Sequence, residues 1–228
     1  MTDIRPIQTQ VNRQPGWPEI AIAVGVYVLG ISFLGYWLLL QPDDKAVFRI
    51  NIAGAMNFAL GFAGFLGAYL YRVRNWKAFG FRPTTLKWIA ISIALGVIGF
   101  GLIFIVEAVY FHFITEANTQ ADFQAAANGG LTGILLLLFT SAVLGPIGEE
   151  LVFRGVVQSG LEKFGSGVAL VGSSLMFAAV HGPSVIFFDA FVMGLFFGAV
   201  FRLSGSIWPA VVLHVVYNGL NLIYYSTI

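Results

Sequence analysis

The sequence predicts an all-α protein: a polytopic transmembrane helical bundle of about seven spans, or eight if the region around the fourth divides in two. Three observations carry that prediction. The chain is 58% hydrophobic and only 10% charged, where a soluble domain carries about 25% charged residues. Its mean hydropathy is +0.84. Its apolar residues fall into separate runs, most of them near the roughly 20 residues that a helix needs to cross a bilayer. The lipid bilayer is therefore the first partner of this chain. A net charge of +1 gives no footprint for nucleic acid. The absence of cysteine excludes a thiol nucleophile, a thiolate zinc site and a disulfide framework.

Residues 1–18 are polar, with Pro15 and Pro18 close together, and read as a short cytoplasmic tail. The first run, 19–40, is too long for a signal-peptide core and no small-residue cleavage site follows it, so it reads as a retained first helix. Gln41-Pro42-Asp43-Asp44-Lys45 is a turn-rich connection. The second span covers 48–71, where Gly61, Gly64 and Gly67 permit close helix approach. A basic loop follows with Arg72, Arg74, Lys77, Arg82 and Lys87, and Trp76 and Trp88 suit a membrane interface. The third span covers 88–113, and 114–130 is a polar loop without lysine or arginine. The fourth begins near Leu131 and runs into Glu149-Glu150, with Pro146 placed to bend it. The last three spans cover 166–181, 185–203 and 207–226. With the N-terminus in the cytoplasm, ten of the twelve lysines and arginines fall inside, and only Lys45 and Arg49 outside. The positive-inside rule therefore favours N-in and C-out. The organisation is a tail (1–18), an N-terminal set of transmembrane helices (19–130) and a C-terminal transmembrane core (131–228).

Three polar patches lie in or beside apolar runs. The first is Gly148-Glu149-Glu150-Leu151-Val152-Phe153-Arg154-Gly155. A charge at bilayer depth costs about 2.5–3.5 kcal/mol on insertion scales, so it is retained when paired or facing a water-filled cavity. Glu150 and Arg154 are four apart and share a helix face. Glu149 is rotated by about 100° from Glu150 and left free for another task. The second patch runs from Phe177 to His181, before the breaker pair Gly182-Pro183. The third holds His214 and Asn218 on one helix face. A lone histidine on an apolar helix is more often a bonded structural residue than a catalyst, and His112 fits that description. Glu107 and Asp189 lie near span ends and read as interfacial.

Together, a carboxylate, two imidazoles and a carboxamide make a complete set for hydrolysis. Glutamate can act as general base on water while histidine orients that water or donates a proton. A second histidine and an asparagine can stabilise a developing oxyanion. The same set could instead hold one divalent metal such as zinc through Glu149, His181 and His214, and the sequence does not separate the two. Depth agrees only in part. At 1.5 Å per residue Glu149 lies ~27 Å from Leu131 and His214 ~10 Å into the last span, whereas His181 comes out deeper. Competing chemistries lack their residues: there is no H-E-x-x-H helix, no G-x-S-G serine motif in a span and no pair of buried aspartates. A transporter would show matching halves with broken helices, and no two-half symmetry is evident.

The three patches together resemble the CAAX prenyl protease and bacteriocin-processing family, the CPBP or Abi family of glutamate-type intramembrane proteases. Its pattern is E-E-x-x-x-R, then F-x-x-x-H, then H-x-x-x-N. Here this reads Glu149-Glu150 with Arg154, Phe177 with His181, and His214 with Asn218. The run Gly194-Leu195-Phe196-Phe197-Gly198 through Gly205-Ser206-Ile207-Trp208-Pro209 into His214 is also similar. The resemblance covers about 131–226. It implies peptide-bond hydrolysis of a membrane-embedded or lipid-anchored peptide or protein. It implies that Glu149 activates water with help from His181, that His214 and Asn218 form the oxyanion site, and that Glu150, Arg154 and Phe177 support them. Either no cofactor or one divalent metal accords with it. Short loops suggest the inner membrane of a prokaryote, and prenylation of the substrate is not implied. The alternative is a non-catalytic membrane scaffold or immunity protein of the same fold.

Overall fold

A computed structural model describes residues 13–115 and 120–227, which form helices and no strands. The helices are α1 (Trp17–Leu39), α2 (Ala46–Val73), α3 (Leu86–Phe113), α4 (Ala121–Ala127), α5 (Gly130–Phe164), α6 (Ser166–Ala179), α7 (Val185–Ser204) and α8 (Ile207–Tyr225). Among the described residues six of these, all but α4 and α6, are long and apolar enough to cross a membrane. α6 is apolar but has only 14 residues, a rise of ~21 Å against a hydrocarbon core of ~30 Å. It stops at Ala179, two residues before His181, where Gly182 takes a left-handed φ of 78°. Ser184 then starts α7 by accepting from the Ile186 N–H, and Ser206 starts α8 by accepting from the Trp208 N–H.

Two boundaries differ from the sequence reading. The chain is packed before Pro18: Pro15 and Gly16 are buried, and the Gly16 N–H donates to Glu19 Oε2 at 2.8 Å. Glu19 in turn pairs with Arg72 at 2.8 Å, tying α1 to the end of α2. The remainder of the tail, residues 1–12 with Arg5, lies outside the described residues. Within the polar stretch 114–130 sits α4, held by Asp122, which accepts from Arg49 Nε and Nη2 at 2.7 and 2.6 Å. A run of small residues with a glutamine and an aspartate gives little apolar periodicity, so this short helix is invisible to the pattern argument.

The longest helix, α5, is interrupted twice. Wide π stretches at Leu138–Leu144 and Leu151–Gln158 flank the α segment Gly145–Glu150. Pro146 has no N–H to give to the preceding turn, and the chain widens there into a π stretch. Such turns recur at functional sites, because they re-aim side chains within a continuous helix. α5 also continues well past Arg154. Fifteen residues follow Glu149 to Phe164, and fifteen separate Ser166 from His181, so the two side chains reach similar depth.

α2 and α5 cross backbone to backbone. A Cβ on Gly61 would collide with the backbone of Gly148, and one on Gly148 would lie 2.7 Å from Asn57 O and from Phe58 Cα. On the neighbouring face Gly64 meets Ala23 O of α1, where a Cβ would lie 2.7 Å away. Small residues at such contacts let helices associate through van der Waals packing, which is the main attraction available in lipid. The crossing brings Asn57 against Glu149. Gly148→Ala is therefore expected to destabilise the protein by roughly 1–3 kcal/mol, the usual cost of overpacking. Gly25→Ala, where a Cβ meets nothing within 4 Å, should not destabilise it. Thermal unfolding in detergent checks both, and wild-type stability for Gly148→Ala would contradict the close crossing.

Candidate active site

Glu149 and Glu150 are consecutive on α5 yet make different contacts. Glu150 is fully buried. Its Oε1 lies 2.9 Å from His214 Nδ1 and its Oε2 lies 3.3 Å from Arg154 Nε. The Arg154 contact is close enough for Coulomb attraction but off the hydrogen-bond line, since neither atom makes a hydrogen bond. Arg154 is itself fully buried. Its Nη2 donates to Gly194 O at 3.4 Å, and its guanidinium lies over the rings of Phe177 and Phe197, 5.0 and 5.4 Å from their centroids. One turn on, Gln158 Nε2 donates to Gly198 O at 2.9 Å. Glu150, Arg154 and Gln158 thus form a polar ladder on one face of α5, closing against the glycine face of α7 and against His214.

Glu149 points to another set of partners. Its Oε1 accepts from Asn57 Nδ2 at 2.8 Å and lies 3.3 Å from the Tyr27 hydroxyl. Tyr27 also donates to Asn57 Oδ1 in a short contact. Its Oε2 lies 3.5 Å from His214 Nε2. His214 therefore stands between the two carboxylates, with its ring stacked on Phe197 at 4.1 Å and Phe177 edge-on at 5.7 Å.

His181, just beyond α6, places Nδ1 2.8 Å from Phe177 O. A backbone carbonyl only accepts, so Nδ1 carries the proton and Nε2 of the neutral ring is the acceptor. Asn218 Nδ2 donates to Ser141 O at 3.2 Å across to α5. Glu149, His181, His214 and Asn218 all line one cavity of about 360 Å³, a size typical of ligand pockets. The cavity extends from the glutamate pair toward the end of the bundle where α1, α3 and α8 finish. That end is opposite the loops bearing Arg72, Lys77, Arg82 and Arg202.

Residues 131–220 match the family model of the type II CAAX prenyl endopeptidases, Rce1-like. This stretch of the chain is Rce1-like. It carries the resemblance drawn from the three motifs, and it covers well under half of the 228 residues. Comparison with curated proteins and with solved structures returns no match.

The Rce1-like stretch does not build the site alone. Tyr27 and Asn57 reach Glu149 from α1 and α2, outside the matched residues, and the sequence reading passed over both. The available signal was an amide in the middle of an apolar span, which marks a functional or helix-joining position. Gln158 was also missed, although its spacing continues the Glu150–Arg154 stripe by one turn. Glu107 and Asp189, read as interfacial, both line the cavity, and Asp189 is only 4% exposed. Position near a helix end does not fix depth when the helices start at different levels. Among the described residues no three His, Cys, Asp or Glu side chains are grouped to hold a metal ion. His181 and His214 each commit Nδ1 to an oxygen, Phe177 O and Glu150 Oε1, and His214 Nε2 lies 3.5 Å from Glu149 Oε2, an orientation open both to direct water chemistry and to a metal bound through Nε2.

Removing Arg154 would leave Glu150 buried with His214 as its remaining partner. Breaking a buried pair from one side costs about 3–5 kcal/mol, whereas replacing both partners by well-packed neutral groups is far milder. Arg154→Ala should therefore melt well below wild type in detergent, and Glu150→Gln with Arg154→Met should recover part of the loss. Wild-type melting of Arg154→Ala would contradict the buried pair.

Proposed function

We propose that the chain is an intramembrane endopeptidase that hydrolyses a peptide bond of a membrane-embedded or lipid-anchored substrate, with Glu149 as the base that activates water. The observation that carries this reading is the asymmetry of Glu149. Asn57 and Tyr27 hold Oε1, Oε2 lies 3.5 Å from His214 Nε2, and Glu149 and His181 border the same cavity. A water between them donates one proton toward Glu149 and the other toward His181 Nε2, leaving an oxygen lone pair for the scissile carbonyl carbon. As the C–O bond forms, Glu149 takes the water proton, and it later gives that proton to the departing amine.

The oxyanion is stabilised by the Asn218 amide and by His214 Nε2–H. His214 donates from Nε2 while Nδ1–H holds Glu150 only when both ring nitrogens are protonated. In that form Glu149 and Glu150 are balanced by His214 and Arg154. Phe177 and Phe197 keep the ring and the guanidinium in place through stacking and cation–π contacts. The whole cycle uses side chains of this chain and one water.

Removing a general base lowers rates by about 10²–10⁴. Glu149→Gln should therefore lose cleavage of membrane-anchored peptides in proteoliposomes by that order while melting near wild type. Wild-type turnover in Glu149→Gln would sink the reading. Metal analysis with and without chelator belongs to the same assay. Activity that is lost with chelator and restored by zinc would contradict direct activation of water by Glu149.

The basic loops support an N-terminus on the cytoplasmic side of the membrane. The cavity then faces the extracytoplasmic side. Because the chain has no cysteine, single introduced cysteines report topology cleanly. Lys45→Cys should react with an impermeant maleimide in intact cells and Lys77→Cys only after permeabilisation. The reverse pattern would invert the orientation.

A further inference from the structure

The cavity has a charge character that hydrolysis of a peptide bond does not require. Among the described residues three carboxylates and two imidazoles line it, and no lysine or arginine does. One carboxylate, Glu149, belongs to the proposed chemistry. The other two, Glu107 on α3 and Asp189 on α7, stand further out, near the level where α8 ends. Asp189 is 4% exposed, and its Oδ1 makes no hydrogen bond. Glu107 lines the same cavity. A buried carboxylate oxygen without a donor is costly, and a carboxylate at membrane depth persists where it has a functional partner. Arg49, at the outer end of α2, is already bound to Asp122. Among the described residues no lysine or arginine lines the cavity to serve Asp189.

We propose that Asp189 and Glu107 form a subsite for a cationic group of the substrate, the ammonium of a lysine or the guanidinium of an arginine. The low-dielectric walls focus the field of one sign along the cavity and draw a cation inward. Asp189 Oδ1 then receives the charged N–H that it lacks. Asn221 and the Tyr225 hydroxyl, on the same wall of α8, offer further polar contacts to the group. The walls around them are largely apolar, which suits the hydrocarbon stem of a lysine or arginine. The subsite would set which residue of the peptide lies next to the scissile bond, so it determines specificity and takes no part in the bond-breaking step.

This inference rests on the proposed function only in taking the ligand to be a peptide, and its test does not need turnover. Short palmitoylated fluorescent peptides with a lysine, or in its place a glutamine, scanned through each position are titrated by anisotropy into the full chain carrying Glu149→Gln. The expected result is tighter binding of the lysine peptide, by roughly 10-fold, at one position or two neighbouring ones, the scale of one charged hydrogen bond. Asp189→Asn in the same background should remove that preference, and Glu107→Gln should reduce it. Equal binding of lysine and glutamine peptides at every position overturns the subsite. A lysine preference that survives both Asp189→Asn and Glu107→Gln overturns it as well. If Asp189→Asn does not fold, the lysine scan on the parent protein and Glu107→Gln still decide. A lysine preference in a protein that never cleaves would count against the proposed function and leave the subsite standing. Cleavage without any preference would do the reverse.

Discussion

Two adjacent carboxylates cannot lie at bilayer depth without partners, and much of this structure follows from meeting that constraint. Arg154 offsets Glu150 but makes no well-aligned hydrogen bond to it. The guanidinium is held by Phe177, Phe197 and Gly194 O. α7 must therefore approach α5 closely, which Gly198 allows, since a Cβ there would lie 2.8 Å from Gln158 Oε1. His214 completes the arrangement by bridging Glu150 to Glu149, which fixes the rotation of α8. A buried ion pair is weak as a source of stability. Its value here is orientation: it leaves Glu149 facing a cavity with one oxygen anchored and one beside the space where a substrate would lie.

The N-terminal helices are part of that arrangement. α2 passes α5 at Gly61 and Gly148 with no side chain between, and this close approach lets Asn57 reach Glu149. Tyr27 on α1 supports Asn57 from behind. At the site itself, the region that matches a family and the region that does not meet at Glu149 Oε1. A family match confined to 131–220 therefore understates how much of the chain holds the site.

The sequence made the bundle legible because apolar runs and basic loops are strong, local signals. Helix bounds from hydropathy fall within a few residues of the structure for five of the six long helices, whereas α5, read as running into Glu149-Glu150, continues to Phe164. Glu150 and Arg154 were also readable, since a spacing of four on a helix is geometry rather than context. Three things were not readable. α6 is too short to cross on its own, and only the structure shows that α5 and α6 meet at their ends so that His181 and Glu149 reach similar depth. Asn57 and Tyr27 are single polar residues in apolar runs, and nothing in the chain says which helix they face until the Gly61–Gly148 crossing is known. Asp189 lies five residues into α7, a position that suggests an interface, yet packing against α3 and α8 buries it in the wall of the cavity.

The central claim is that Glu149, His181, His214 and Asn218 converge on one reacting carbonyl. The most direct measurement is an experimental structure of the protein with a membrane-anchored peptide whose scissile amide is replaced by a phosphinate, a stable mimic of the tetrahedral intermediate. The account predicts one phosphinate oxygen within hydrogen-bond distance of Glu149 and His181 and the other within reach of His214 and Asn218. A phosphinate bound away from Glu149, or bound through a metal ion held by the glutamate and the two histidines, would contradict it.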